Sequence, residues 1–305
     1  MTVGTVGGRS LDANKIEAAY VGFFTTFEDR LKQTEPMYQR LALVAETENV
    51  IDTQLWLSQI PKMRKWIGPK QLQKFRGQSQ PIVTSAYESS VEVPKHDIIQ
   101  DRLGLYKNRI SQLADAYGWA IDELVVSMLV AGVAGTSLGT TYDGQNLIDT
   151  DHTALSSGGT AQTNKVTGAL SGTTYASAWQ RFLEVKDENG TPIAQPGQRM
   201  ILLCGPANRQ NARTILAQDV AASGARNIDY QTADLMVHPR ITGTEWFLMP
   251  ENSSAIIVQI RRGPEFLAVE DGEFVFRTGK FLYGTEAEFG AAYGLWQEIV
   301  GGPGV

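Results

Sequence analysis

The sequence predicts a mixed α+β chain, and three observations carry that prediction. A run from about Ile98 to Val133 places Ile99, Leu103, Tyr106, Ile110, Leu113, Tyr117, Ile121, Leu124 and Met128 at gaps of three or four, the spacing of a single apolar stripe on a helix. From Ala255 onward, large and small side chains alternate over long runs, which is the period of strands. Between the two, the continuous apolar run Arg199–Cys204 reads as a buried strand, and Pro206–Gln218 reads as a helix with proline in its first turn.

The helix over 98–133 would be roughly 50 Å long at 1.5 Å per residue, a spine around which the rest can be arranged. Its opposite face carries Asp101, Arg102, Lys107, Arg109, Asp115, Asp122 and Glu123 and is expected to meet water or a partner. Gly104 and Gly118 each cost about 1 kcal/mol relative to alanine and mark places where the helix can bend. One stripe with aromatic and β-branched members suits packing on a sheet, and the C-terminal strands are the natural cover for it.

Composition narrows the class. The 305 residues can bury a sizeable core, and the net charge of −6 argues against tight wrapping of nucleic acid by the body of the protein. No apolar run reads as a membrane span, and the N-terminal stretch lacks the basic-then-apolar layout of a secretory signal, so synthesis in the cytoplasm is expected. Cys204 is the single cysteine and sits inside the apolar MILLCG run, where it reads as a small buried hydrophobe rather than a nucleophile.

In chain order, residues 1–14 are Gly-rich and expected to be a loose or partner-dependent tip. Ala13–Leu31 reads as a helix with an aromatic stripe (Tyr20, Phe23, Phe24, Phe27) that must dock either on its own core or on a neighbour. Leu41–Val44 reads as a short strand, and Val83–Val93 alternates weakly, as a sheet edge does. Between them, Pro61–Gly77 holds six basic residues (Lys62, Arg64, Lys65, Lys70, Lys74, Arg76) and no acidic one, interleaved with Trp66 and Phe75 and preceded by Trp56. Cations and aromatics in this pattern suit nucleic acid. The preferred reading is a protruding loop, stiffened by Pro61, Pro69 and Pro81, that makes a protein contact.

After the spine, Tyr142–His152 (YDGQNLIDTDH) gathers Asp143, Asn146, Asp149, Asp151 and His152. The spacing does not fit a twelve-residue calcium loop, so Asx-type turns explain it better than a metal. A His beside acids is also the minimum for general-base work, but no nucleophile motif accompanies it. Tyr175–Val185 reads as an amphipathic helix, and Leu235–His238 and Glu245–Pro250 as strands. CGPANRQN has neither a Walker nor a dinucleotide spacing. Turns are expected at Gly263-Pro264 and, as a hairpin, at Asp271-Gly272.

Three phrases, WLSQIPKMRKWIG (56–68), YDGQNLIDTDH (142–152) and FLYGTEAEFGAAYGLW near the C-terminus, resemble the gpT family of major head subunits of Mu-like phages and prophages. The resemblance rests on Trp56, Pro61, Trp66 and Gly68 in the first phrase, and on Tyr142, Asp143, Gly144, Gln145, Asn146, Asp149 and His152 in the second. It implies the Hong Kong 97-type capsid fold: an N-terminal arm over 1–45, an extended loop over 46–95, a peripheral domain from 96–137 and 255–305, and an axial domain over 138–254. It further implies a major capsid protein, not an enzyme, whose copies form pentamers and hexamers of an icosahedral shell around packaged double-stranded DNA. Expected partners are a portal, a separate scaffolding protein and decoration proteins, with little specific DNA contact and no membrane. The location implied is the virion, after synthesis in the bacterial cytoplasm. Catalytic residues, cofactors and metal ligands are not expected. Trp56, Lys62, Arg64, Lys65, Trp66, Lys70, Lys74, Phe75 and Arg76 then fall on the extended loop as candidate inter-subunit contacts. An encapsulin-like nanocompartment is the nearest alternative, and a cytosolic hydrolase using His152 with Asp149 or Asp151 is the alternative of a different class.

Overall fold

The computed structural model describes residues 3–6, 9–11, 13–57, 77–100, 102–135, 138–153, 161–187, 190–195, 197–220, 224, 226–269 and 272–304. The Gly-rich start forms a small hairpin, β1 (Val3–Val6) with β2 (Arg9–Leu11), where a loose tip was expected. The aromatic helix α1 (Ala13–Gln33) and a short α2 (Tyr38–Leu41) follow, then β3 (Leu43–Glu46). The predicted strand at Leu41–Val44 is thus displaced by two residues, because Tyr38 and Leu41 are buried as one helical turn. β4 (Ile51–Leu57) and β5 (Gly77–Val83) pair antiparallel with each other alone, and β6 (Ser85–Pro94) leads into α3 (Lys95–Ile99).

The spine is α4 (Lys107–Ala134), 28 residues or about 42 Å, shorter than the sequence suggests. The expected continuous helix from Ile98 breaks into α3, a 3-10 turn at Leu103–Leu105, and α4. Gly104 weakens the helix there, and the Tyr106 hydroxyl donates to the Asp97 carboxylate, folding α3 back beside the start of α4. By length and mean hydropathy (1.4), Leu103–Ala134 passes as a membrane span, contrary to the sequence reading. Half of that window is buried inside the protein, so the stretch is a core helix.

α5 (Gly172–Glu184) opens with a capping box between Ser171 and Thr174. β7 (Met200–Cys204) is buried throughout, as its apolar run requires, and α6 (Arg209–Leu216) follows a 3-10 turn at Pro206–Asn208. β8 (Asp234–Val237), β9 (Trp246–Pro250) and β10 (Ile256–Val269) come next, then α7 (Gly272–Thr278), β11 (Lys280–Tyr293) and β12 (Val300–Gly302).

Two expected turns are absent. Gly263-Pro264 lies inside β10, where the register to β11 slips between Ile260 and Glu265. β3 pairs β10 only over Ile257–Ile260, so Pro264 sits on a free edge at a bulge, where its missing N–H leaves no partner unmet. Asp271-Gly272 does not close a hairpin: α7 connects β10 to β11, buries Val275, and ends at Gly279 with φ +67°. The tertiary contact at Val275 overrides the strand propensity of the Phe-Val-Phe run.

Two four-stranded sheets flank the spine. The long sheet runs β3-β10-β11-β6, antiparallel except for β3, with β6 at the edge as its weak alternation suggested. The second runs β12-β9-β7-β8, with only β7 and β8 parallel. The N-terminal half of α4 (Ile110, Leu113, Ala114) packs with Phe23 and Phe27 of α1 and with Phe266, Phe281 and Tyr283 of the long sheet. Its C-terminal half (Ile121, Val125, Val126, Leu129) packs between both sheets, against Ile201, Leu203, Phe247, Phe289 and Tyr293. One helix therefore belongs to two cores.

The polar face of α4 does not meet water at Asp115 and Asp122, contrary to the sequence reading; both are buried. Arg30 of α1 clasps Asp115 through Nε (2.8 Å) and Nη2 (3.0 Å), and Thr34 Oγ1 donates to it at 2.9 Å. Asp122 accepts the backbone N–H groups of Met37 (3.1 Å) and Tyr38 (2.6 Å) at the start of α2. Burial pushes the Asp122 carboxyl above its ordinary value, against the opposing pull of those N–H groups. The N-terminal helices are thus tied to their own spine.

Candidate assembly surfaces and the loop that braces them

The YDGQNLIDTDH loop is a brace, and its geometry follows from one glycine in the spine. Gly132 lets Leu147 lie directly on α4: a Cβ there would stand 2.6 Å from the Leu147 Cβ, and the Ile148 N–H donates to the Gly132 carbonyl at 3.1 Å. Leu147 and Ile148 join the core between the sheets. The polar residues around them fold the loop on itself. Asp143 Oδ1 accepts the Gln145 N–H (3.2 Å), an Asx turn of the expected kind, and the Thr141 hydroxyl donates to the same oxygen.

His152 is fully buried, donates from Nδ1 to Asp143 Oδ2 at 2.9 Å, and stacks on the Trp296 ring at 4.2 Å between centroids. Burial raises the Asp143 carboxyl, but the hydrogen bonds from His152 and Thr141 outweigh it and hold the group below the ordinary range. Asp149 instead takes Asn146 Nδ2 (3.0 Å), and Asp151 takes Gln145 Nε2 (3.3 Å). Neither is the partner of His152 that a hydrolase reading requires. Among the described residues, no group of three or more His, Cys, Asp and Glu side chains is placed to hold a metal ion.

A residue that the sequence reading missed joins this loop to the C-terminus. Asn164 is fully buried; its Oδ1 accepts the Asp149 N–H (2.9 Å), and its Nδ2 donates to the carbonyls of Leu147 (2.7 Å) and Trp296 (3.1 Å). Gln297 Nε2 donates to the Tyr142 hydroxyl at 2.5 Å, and the Tyr293 hydroxyl to the Met128 carbonyl at 2.7 Å. Two of the phrases singled out in the sequence, YDGQNLIDTDH and AYGLW, therefore meet in space around His152 and Trp296. Nothing in the sequence distinguishes Asn164 from other loop asparagines.

Cys204 and His238 are equally spoken for. Cys204 lies in β7 with its thiol pushed up to about 11 by burial, as expected of an inert core cysteine. His238 is buried and pushed down by it, with its Nδ1 accepting the Arg240 N–H at 3.3 Å.

The β4–β5 ribbon lies within residues 46–95, in register from Ile51↔Val83 to Leu57↔Gly77. Its base is fixed where Ile82 packs with Ile257 and Ala292 of the long sheet, and where Gly290 admits the Val83 carbonyl, which a Cβ would meet at 2.2 Å. Thr84 pins the hinge, donating from N (3.0 Å) and Oγ1 (3.1 Å) to the Val50 carbonyl. Trp56 stands on β4 opposite Gln78. Lys62, Arg64, Lys65, Trp66, Lys70, Lys74, Phe75 and Arg76 lie outside the described residues.

Comparison with known proteins follows the same lines. The family model of the Mu-like prophage major head subunit gpT matches residues 16–169, 159–241 and 240–303. The major head subunit of the Mu-like prophage FluMu of Haemophilus influenzae is 34% identical over 167 residues, covering 54% of this chain and 53% of that protein. The major capsid protein of Escherichia phage Mu is 22% identical over 287 residues, 93% of this chain and 72% of its own length. The chain thus matches about half the length of the first of these relatives and about three quarters of the second. Among solved structures, a chain of the bacteriophage JBD30 procapsid superposes with a TM-score of 0.58 at 26% identity, covering 95% of this chain and 75% of that one. The structural neighbours are phage capsid proteins of the Hong Kong 97 type, which is the fold of this chain. With its matches running from residue 16 to residue 303, this chain belongs to the gpT family of Mu-like prophage major head subunits.

Proposed function

We propose that this chain is the major capsid protein of a Mu-like phage or prophage, and that it acts by shape, without chemistry of its own. Its copies tile an icosahedral shell of pentamers and hexamers around packaged double-stranded DNA, in the virion, after synthesis in the host cytoplasm. A portal, a scaffolding protein and decoration proteins complete the head. The observation that carries this reading is the family match from residue 16 to residue 303 in a protein built as one braced body with a two-stranded ribbon attached at a single base. Such a body with a reaching element makes heterologous contacts that close into rings, and several weak contacts per subunit combine into a stable shell. The peripheral unit is the α4–long-sheet part, and the axial unit is the part around the second sheet.

An encapsulin-like compartment shares this fold, but the gpT family match favours the head subunit. The test is electron microscopy and sedimentation of the full chain produced with its phage's assembly proteins: closed particles are expected, and a species that stays at 33.4 kDa under every condition overturns the reading. The loop's role is tested by reversing Lys62, Arg64 and Lys65 together. Folded subunits that no longer assemble are expected, whereas normal particles would remove the loop from the contact.

A further inference from the structure

The segment from Met37 to Glu46 touches the spine and both sheets. Its start is capped on the spine by Asp122, Tyr38, Leu41 and Ala42 pack in the core between the sheets, and β3 pairs with β10 of the long sheet. At Arg40 it also meets the second sheet. Arg40 Nη2 lies 2.6 Å from Asp234 at the start of β8, and Arg40 Nε lies 2.5 Å from Glu251, just past the end of β9. Arg199, just before β7, reaches the same two carboxylates at 3.1 and 3.6 Å. Each arginine thus meets both acids, and the four side chains close a ring across the ends of three neighbouring strands, β9, β7 and β8. Two main-chain bonds run beside the ring: the Glu251 N–H donates to the Arg199 carbonyl and the Asn252 N–H to the Arg40 carbonyl, each at 2.8 Å. Without Arg40, two carboxylates of the ring face one cation.

The ring differs from the other polar anchors of this region in being open to water. Asp115 and Asp122 are buried, whereas the side chains of Asp234 and Arg199 are 46% and 71% exposed. Solvent-facing ion pairs weaken as salt screens them, and buried ones do so far less. Beyond Leu41 and Ala42 the segment is held lightly: β3 is a four-residue edge strand with Leu43 and Val44 exposed, and the next strand is β4 of the ribbon. We propose that the ring of Arg40, Arg199, Asp234 and Glu251 is an ionic clasp that salt loosens. Closed, it holds residues 40–46, and with them the root of the ribbon, against the body. Screened, it lets that stretch open locally, while Asp122 keeps the start of α2 on the spine and both sheets stay folded.

Hydrogen–deuterium exchange of the unassembled full-length subunit tests the clasp. Peptides covering 38–46 are compared in about 0.01 M and about 1 M NaCl, between which the screening length falls from about 30 Å to about 3 Å. Exchange over 38–46 should rise about fivefold with salt, the upper range for exposed charges, while peptides from β7 stay protected. Arg40→Gln should give the fast rate at both salt concentrations. Asp234→Asn leaves the segment itself unchanged and alters a half-exposed side chain, so it keeps the test open if loss of Arg40 unfolds the subunit. It should also raise exchange over 38–46 at low salt. Exchange over 38–46 that ignores salt in the wild type, or that is as slow in Asp234→Asn as in the wild type at low salt, overturns the clasp. A rise with salt that β7 shares equally also overturns it, since that reports global unfolding. The clasp works within one subunit, so its failure leaves the shell reading untouched.

Discussion

The loop at 142–152 and the β4–β5 ribbon both leave the sheet-and-spine body, and they are built on opposite terms. The loop closes on itself and then on the C-terminus through Asn164, His152, Trp296 and Gln297, with its apolar pair driven into the core. The strands of the ribbon pair with each other, expose Ile51 and Val83, and are held to the body by Ile82, by Thr84 and by Gln80 Nε2, which donates to the Thr140 carbonyl at 3.1 Å. A two-stranded ribbon alone is marginal in water. Stability of the subunit therefore resides in the brace rather than in the ribbon. Substitutions in the two regions should separate cleanly into loss of folding and loss of assembly.

The largest effect belongs at the centre of the brace. Trp296→Ala removes a fully buried ring stacked on His152 and should cost about 3–5 kcal/mol, read as a large fall in Tm of the unassembled subunit. A Tm within a degree or two of the wild type would mean that the loop does not brace the body. Gly132→Ala tests the same joint more gently. Its Cβ would press on Leu147 at 2.6 Å, and a loss of about 1–3 kcal/mol by denaturant titration is expected, with the slope unchanged.

Acid should act on the brace before the ribbon. The Asp143 carboxyl is held below its ordinary 3.8, so the stability it contributes is fully present above that value and is lost as pH falls through the lower folded value. Asp143→Asn should lower Tm at neutral pH and flatten the decline of Tm below about pH 4, since the group that titrates there is gone. An acid limb identical to that of the wild type would assign the sensitivity elsewhere. The smallest effect on the subunit is expected from Trp56→Ala with Trp66→Ala. Tm should shift by less than about 0.5 kcal/mol equivalent, while particles lose subunits faster because aromatic anchors dominate interfaces. A strongly unfolded double variant would place these side chains in the core and erase the contrast.

Much of this was legible locally. The stripe from Ile110 to Met128 marked the spine, the unbroken run ending in Cys204 marked a central strand, and the weak alternation before Pro94 marked a sheet edge. Asx chemistry at Asp143 was also predictable from residue type. The misses have a common cause. Asp115 and Asp122 looked solvent-facing because their own helix says nothing of what lies across from them; their partners stand about 85 residues earlier. The Phe-Val-Phe run before Gly279 has strand propensity, yet a single buried valine made it α7. Asn164 unites segments 17 and 132 residues away, and no local pattern encodes that.

By itself, then, the sequence determined the periodic elements, the polar character of the ribbon and the family, since each is written in spacing or in short phrases that need no partner. The tertiary structure alone decided which polar groups are buried, where the spine begins, and how the 142–152 loop meets the C-terminus. The physical reason is range. Backbone periodicity is settled within a turn or a strand, whereas the pairing of a buried carboxylate, amide or ring depends on which distant segment packing brings against it.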